Sequence, residues 1–228
     1  MPREGHLDQI YHIFAYLKIK HNAELVFDPT EPNISPDDFP VEDWAHTVYT
    51  DAAEDIAPDH PQPRGIGFTI HAFVDADHAG NLVTRRSRTG FVIFLNKAPI
   101  YWLSKKQTGI ETSSFGSEFM AMKHCCEYLR GLRYKLRSMG ISVDSPCYVF
   151  GDNKSVLVNG SKPDSVLQKK SNSVAYHFVR EGTAANEWRL TYVNTDDNCA
   201  GMMSKSLPGG RKCHRFTSIL LHHVYDYE

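Results

Sequence analysis

Apolar positions along this chain recur at first with a helical period, then lose all period, then alternate as strands do. Leu7, Ile10, Tyr11, Phe14 and Leu17 are spaced as one face of a helix over residues 5–20. The next segment has neither period. Seven of the twelve prolines fall between Pro29 and Pro63, which marks a linker or an irregular surface arm. Strand-like runs then occupy Phe68–Asp75, Gly90–Leu95 and Ala98–Ser104. Only Asn96-Lys97 separates the last two, so a hairpin is expected. Thr112, Ser113 and Ser114 offer N-cap oxygens to a long helix with apolar positions at Phe119, Met122, Cys126 and Leu129, stopping at Gly140. Pro146 precedes a strand at Tyr148–Phe150, and Asp152-Asn153 can cap a short helix through Val158. Residues 173–181 read as a helix, Trp188–Val193 as a strand, Ala200–Ser206 as a short helix and 212–225 as a closing helix.

This order predicts an α/β domain with a five-stranded mixed sheet flanked by helices. The first three strands are sequential and antiparallel, and the last two join through helical crossovers. Three divisions follow: an N-terminal helical segment over 1–27, an acidic Pro-rich arm over 28–64 and the main domain over 65–228.

Charge sharpens that division. Residues 28–63 hold ten Asp or Glu and no Lys or Arg, whereas residues 64–228 hold 22 Lys or Arg against 14 Asp or Glu. The overall charge of −2 therefore conceals a basic domain, which favours a polyanionic partner. The hydrophobic fraction of 41% suffices for a core. No apolar run approaches a membrane span, and the N-terminus lacks a secretion signal. Five cysteines in no paired spacing argue against a disulfide framework. An intracellular protein is expected, in a cytoplasmic particle or the nucleus, neither secreted nor membrane-bound.

Three carboxylates stand out. Asp75 closes an alternating strand, Glu118 lies in the first turns of the long helix, and Asp152 follows the strand at Tyr148–Phe150. A carboxylate at a strand end is exposed yet rigidly held, which suits a shared divalent ion. Each has a plainer reading by itself: Asp75 as a strand end, Glu118 as a favourable charge on a helix dipole, Asp152 as an N-cap. Asp77 is the nearest competitor to Asp75, and Asp75 is preferred because it ends the alternating run.

The motifs around these residues resemble the ribonuclease H domain of copia-type retrotransposon polyproteins. They are Val74-Asp-Ala-Asp-His-Ala-Gly80, Thr84-Arg-Arg-Ser-Arg-Thr-Gly-Phe91, Ile100-Tyr-Trp-Leu-Ser-Lys-Lys-Gln107 and Ser113-Ser-Phe-Gly-Ser-Glu-Phe-Met-Ala121. Gly151-Asp-Asn-Lys-Ser155, Tyr176-His-Phe-Val-Arg-Glu181 and Ser204-Lys-Ser-Leu-Pro208 continue the series in unbroken order. The N-terminal helix, with Ala15-Tyr-Leu-Lys18, looks like the connection segment that follows reverse transcriptase in such polyproteins. The resemblance implies a ribonuclease H-like fold and a metal-dependent endonuclease that hydrolyses the RNA strand of RNA–DNA hybrids. It implies two Mg2+ ions, with Mn2+ as a substitute, no small-molecule cofactor, and a reverse transcriptase domain of the same polyprotein as a partner. Asp75 and Asp152 would bridge or flank the metals, and Glu118 would complete one site.

The chain departs from that pattern. Where the family has Ala-Asp at the start of the closing helix, this sequence has Ala200-Gly201, which puts the second ion in question. Asp196 and Asp197, just upstream, are the nearest replacement ligands, though a loop carboxylate is less preorganised. The family's acidic residue and histidine are here Gly116 and Ser171. For phosphates the candidates are Arg85, Arg86, Arg88, Lys105 and Lys106, with Gln107 and Asn153 as donors to a hybrid's sugars. Trp102 is expected to pack in the sheet, His177 to pack rather than shuttle protons. Cys213, His214, His222 and His223 lack a firm zinc spacing. Two readings compete with the nuclease: a nucleic-acid-binding module whose active site has decayed or been repurposed, and a structural interaction domain with a basic face. The intact carboxylates favour the nuclease; Gly201 sustains the binding module.

Overall fold

The computed structural model describes residues 4–167, 172–207 and 210–223. Helix α1 (Glu4–Ile19) forms where the apolar spacing predicts it, yet none of its residues is buried. A two-residue strand β1 (Ala23–Glu24) follows, and then the acidic arm, irregular but for one 3-10 turn at Pro36–Asp38. The arm lies against the sheet. Phe39 is 1% exposed, its ring 4.6 Å from that of Tyr148 and 5.2 Å from that of Phe150. Trp44 is buried too, with the Arg180 guanidinium 4.8 Å from its ring. Burying these two rings offsets the entropy of ordering an otherwise polar segment.

The main sheet contains β2 (Ile70–Asp77), β3 (Arg88–Leu95) and β4 (Ala98–Lys106), then β5 (Cys147–Gly151) and β6 (Trp188–Tyr192). Its order is β4-β3-β2-β5-β6, antiparallel across β2, β3 and β4 and parallel from β2 through β6. This is the five-stranded mixed sheet expected from the sequence, its first three strands antiparallel. Asn96, with φ of 51°, makes the tight β3–β4 turn, and its Oδ1 accepts from Thr69 N. The expected strand over Phe68–Asp75 is shifted by two residues, so Asp75 is interior to β2 and Asp77 ends it.

The remaining helices are α2 (Ser114–Ser138), α3 (Lys154–Ser161), α4 (Ser173–Ala184), α5 (Gly201–Ser204) and α6 (Arg211–Leu220). Ile70, Ala72, Val74 and Ala76 put one face of β2 against Phe119, Met122, Cys126 and Leu129 of α2. The other face meets Phe94, Cys199, Phe216 and Leu220 through Phe73. Helix α6 stops at Leu220, short of the expected end, and His222–His223 form β7 on β1. The closing-helix positions beyond 223, and Ser171, lie outside the described residues. Trp102 does not pack in the sheet as expected: it is 46% exposed on the edge strand β4. No helix among the described residues is long and apolar enough to cross a membrane.

Candidate metal centre

Parallel pairing of β2 with β5 sets Val74 beside Gly151, which brings Asp75 and Asp152 to neighbouring positions on adjacent strands. Helix α2, capped by the Ser113 hydroxyl accepting from Gly116 N, carries Glu118 across them in its second turn. One carboxylate oxygen from each of Asp75, Glu118 and Asp152 lies within 4.8 Å of the others. They are the acidic cluster found among the described residues.

The expected exposure of Asp75 does not hold, because the strand runs past it. Asp75 is 1% exposed beneath α5. Its Oδ1 accepts from Lys205 Nζ at 2.9 Å, and its Oδ2 accepts from Ser204 Oγ. Asp152 is not the N-cap of α3; Asn153 is, accepting from Val156 N. Asp152 Oδ2 instead accepts from Thr195 Oγ1 at 2.8 Å. Burial is the main cause that drives the Glu118 carboxyl up to about 9, with the charges of Asp75 and Asp152 adding to it. Burial likewise raises Asp75, against the lowering by Ser204 and Lys205. Lys205 is held above its usual range: burial, the largest single cause, lowers it, but the charge and hydrogen bond of Asp75 together with the charges of Glu118 and Asp152 outweigh that.

Three hard, acceptor-only oxygens crowded against their own repulsion fit a divalent cation of the magnesium type. Asp196 and Asp197 do not join them. Asp196 pairs with Lys212 at 3.0 Å and Asp197 with Arg215, both on α6. Gly201 is the first residue of α5 and offers no ligand. Asp77 folds over Gly80, where any Cβ would overlap its carboxylate.

Beside the cluster lies a cavity of about 350 Å3 whose lining includes Arg86, Arg88, Lys106 and Lys205. Arg88 Nη1 donates to Ser104 Oγ at 3.3 Å, which aims its guanidinium along this wall. Arg85, in the turn with φ of 53°, is outside the lining. Lys105 follows the strand alternation to the opposite face and lines a different cavity, with His124 and Tyr128. Gln107 is no surface donor as expected: it is buried, and its Nε2 donates to Thr89 Oγ1 and Ser117 O. Asn153 spends its side-chain oxygen on the α3 cap.

Sequence reasoning gave no role to Ser204, Lys205 or Asn198. Asn198 is buried; its Nδ2 donates to Val74 O at 2.8 Å and its Oδ1 accepts from Ala200 N, tying the start of α5 to the strand that bears Asp75. Only the Ser204-Lys205 pair in a family-like motif signalled this.

Fold and site together define an α/β module, a five-stranded mixed sheet carrying a centre of three carboxylates. Over about two thirds of the chain, its homologues are the copia-type Pol polyproteins of retrotransposons. The retrovirus-related Pol polyprotein from transposon RE2 of Arabidopsis thaliana is 30% identical over 152 residues, 66% of this chain and 10% of that polyprotein. The one from transposon RE1 of the same plant is 28% identical over 144 residues, 63% of this chain and again 10% of the relative. The chain thus spans about one tenth of the length of the curated relatives it matches. A solved structure of LC11-RNase H1 in complex with an RNA/DNA hybrid covers 60% of this chain and 94% of its own, at 16% identity and a TM-score of 0.48. No family model matches the chain.

Proposed function

We propose that this chain is the ribonuclease H part of a retrotransposon polyprotein, a metal-dependent endonuclease hydrolysing the RNA strand of RNA–DNA hybrids. Residues 65–228 form the nuclease unit in this reading, with 1–27 as its connection to a reverse transcriptase domain and 28–64 as the arm between. The observation that carries it is the convergence of Asp75, Glu118 and Asp152 beside a basic cavity.

Divalent ions bound in such a centre would activate water and stabilise the leaving oxyanion. Asp75, Glu118 and Asp152 would hold them, with Thr195 and Ser204 fixing the orientation of the two aspartates. Arg86, Arg88 and Lys106 take phosphate oxygens of the bound strand, which positions the duplex without reading its sequence. Gly201 leaves the centre one carboxylate short, so turnover is expected to be lower than with a full set.

Cleavage of a labelled RNA–DNA hybrid in Mg2+ and in Mn2+ tests this. The chain should cut the RNA strand, Asp152→Asn should lose at least about a hundredfold, and Gly201→Asp should cut faster. Hybrid binding with no cleavage in either metal selects instead a binding module, the reading that the ligand missing at Gly201 favours.

A further inference from the structure

The acidic cluster already contains a cation. Lys205 Nζ and Ser204 Oγ between them engage both oxygens of Asp75. A carboxylate shared by two divalent ions would have to give lone pairs to both, and here the chain's own ammonium and hydroxyl already take one on each oxygen. Charge points the same way. With Glu118 giving up its proton to a bound cation, three carboxylates and one ammonium leave two net negative charges, which a single divalent ion neutralises. A second ion would leave the centre positive, with no fourth carboxylate at Gly201 to offset it.

Neither feature is forced by crowding. A Cβ at Gly201 would meet only Phe216 Cε2, at 3.8 Å, so the packing admits a side chain there. Lys205 is positioned by the close approach of α5 to β3. Gly90 permits that approach, since a Cβ on it would come within 2.7 Å of Ser204 N and 2.9 Å of Ala200 O.

We propose that Lys205 is the second cation of this centre, its ammonium standing in place of one of two divalent ions, so that the site binds a single ion. The proposal rests on the metal-centre reading above. Lys205 also lines the basic cavity, which leaves its remaining N–H groups available to a bound phosphate. A fixed ammonium thereby supplies locally the positive charge that an exchangeable ion would otherwise bring.

The test counts Mn2+ ions per chain, by electron paramagnetic resonance of free Mn2+ and by calorimetry. Its chains are wild type, Asp152→Asn, Lys205→Met and the double variant Gly201→Asp/Lys205→Met. Wild type should bind one ion, weakened at least about tenfold by Asp152→Asn. Lys205→Met should bind its first ion at least about tenfold more tightly, because the like charge held on Asp75 has been removed. The double variant, checked for folding by circular dichroism, should bind two. Two ions in wild type overturn the proposal and leave the metal centre standing. No ion in wild type, or one indifferent to Asp152→Asn, overturns both. Unchanged affinity in Lys205→Met overturns the role of Lys205 even if the double variant fails to fold, and so does a folded double variant that binds only one ion.

Discussion

Glu118 lies between two other carboxylates in a partly buried site, and its folded-state carboxyl, near 9, stands far above its usual 4.5. A carboxyl raised on folding contributes stability that is fully present below about pH 4.5 and is lost as pH climbs through about 9. In EDTA the melting temperature is therefore expected to fall by several degrees between about pH 5 and pH 9, at about 2–4 °C per kcal/mol for a chain of this size. Saturating Mg2+ should remove that fall, since a cation replaces the proton. A flat profile in EDTA would show that the three carboxylates do not strain one another. Glu118 and Asp152 were legible because each sits at a recognisable place, early in a long helix and just after a strand, whereas Asp75 was picked as a strand end and the strand runs on to Asp77. Lys205 was not legible: a lysine after a four-residue helix has no periodic signature, and its partner lies 130 residues away in sequence. Gln107 misled for the converse reason, since nothing in Lys-Lys-Gln reveals that its amide turns inward to bridge β3 and α2.

Among elements, the arm departs most from what composition suggests. Its acidic surplus implied a solvated segment, yet Glu54 is clasped by Arg133 and Arg137 of α2, with Arg133 Nε and Nη2 at 2.8 and 2.6 Å. Burial alone would raise this carboxyl, but hydrogen bonds from Arg133 and then Arg137 overcome it and bring it down to about 2. Its contribution is present above about pH 4.5 and is lost as pH falls toward about 2. Glu54→Gln removes that charge and leaves two largely buried guanidiniums facing an amide. We expect about 3 kcal/mol of destabilisation in urea melts at neutral pH, together with faster proteolytic cleavage within residues 28–63. Unaltered arm cleavage would mean that Phe39 and Trp44 hold the arm without the ion pairs. Helix α1 shows the opposite case: its period predicted a helix correctly, but periodicity does not say what covers the apolar face, and none of its residues is buried among the described residues.

At the scale of the molecule, the sheet divides the basic residues into those that face the acidic cluster and those that do not. Arg86, Arg88 and Lys106 share a cavity with Lys205, while Lys105 lines only a second cavity, which Lys106 also borders. Replacing those three by Gln should weaken hybrid binding for all sequences alike. It should also reduce the slope of log K against log salt by about 1 for each phosphate that is no longer neutralised. Fluorescence anisotropy across a salt series checks this, and an unchanged slope would place the duplex on another face. The sequence by itself determined the elements, the mixed sheet and the three carboxylates, because periodicity, caps and turn residues act over a few positions and are written locally. Tertiary structure alone decided that Asp75 is buried rather than exposed and that Asp196 and Asp197 turn to α6. It also decided that the site's own ammonium comes from Lys205. Those outcomes depend on where segments far apart in the chain come to rest, and the close approach of α5 to β3 over Gly90 sets the last of them.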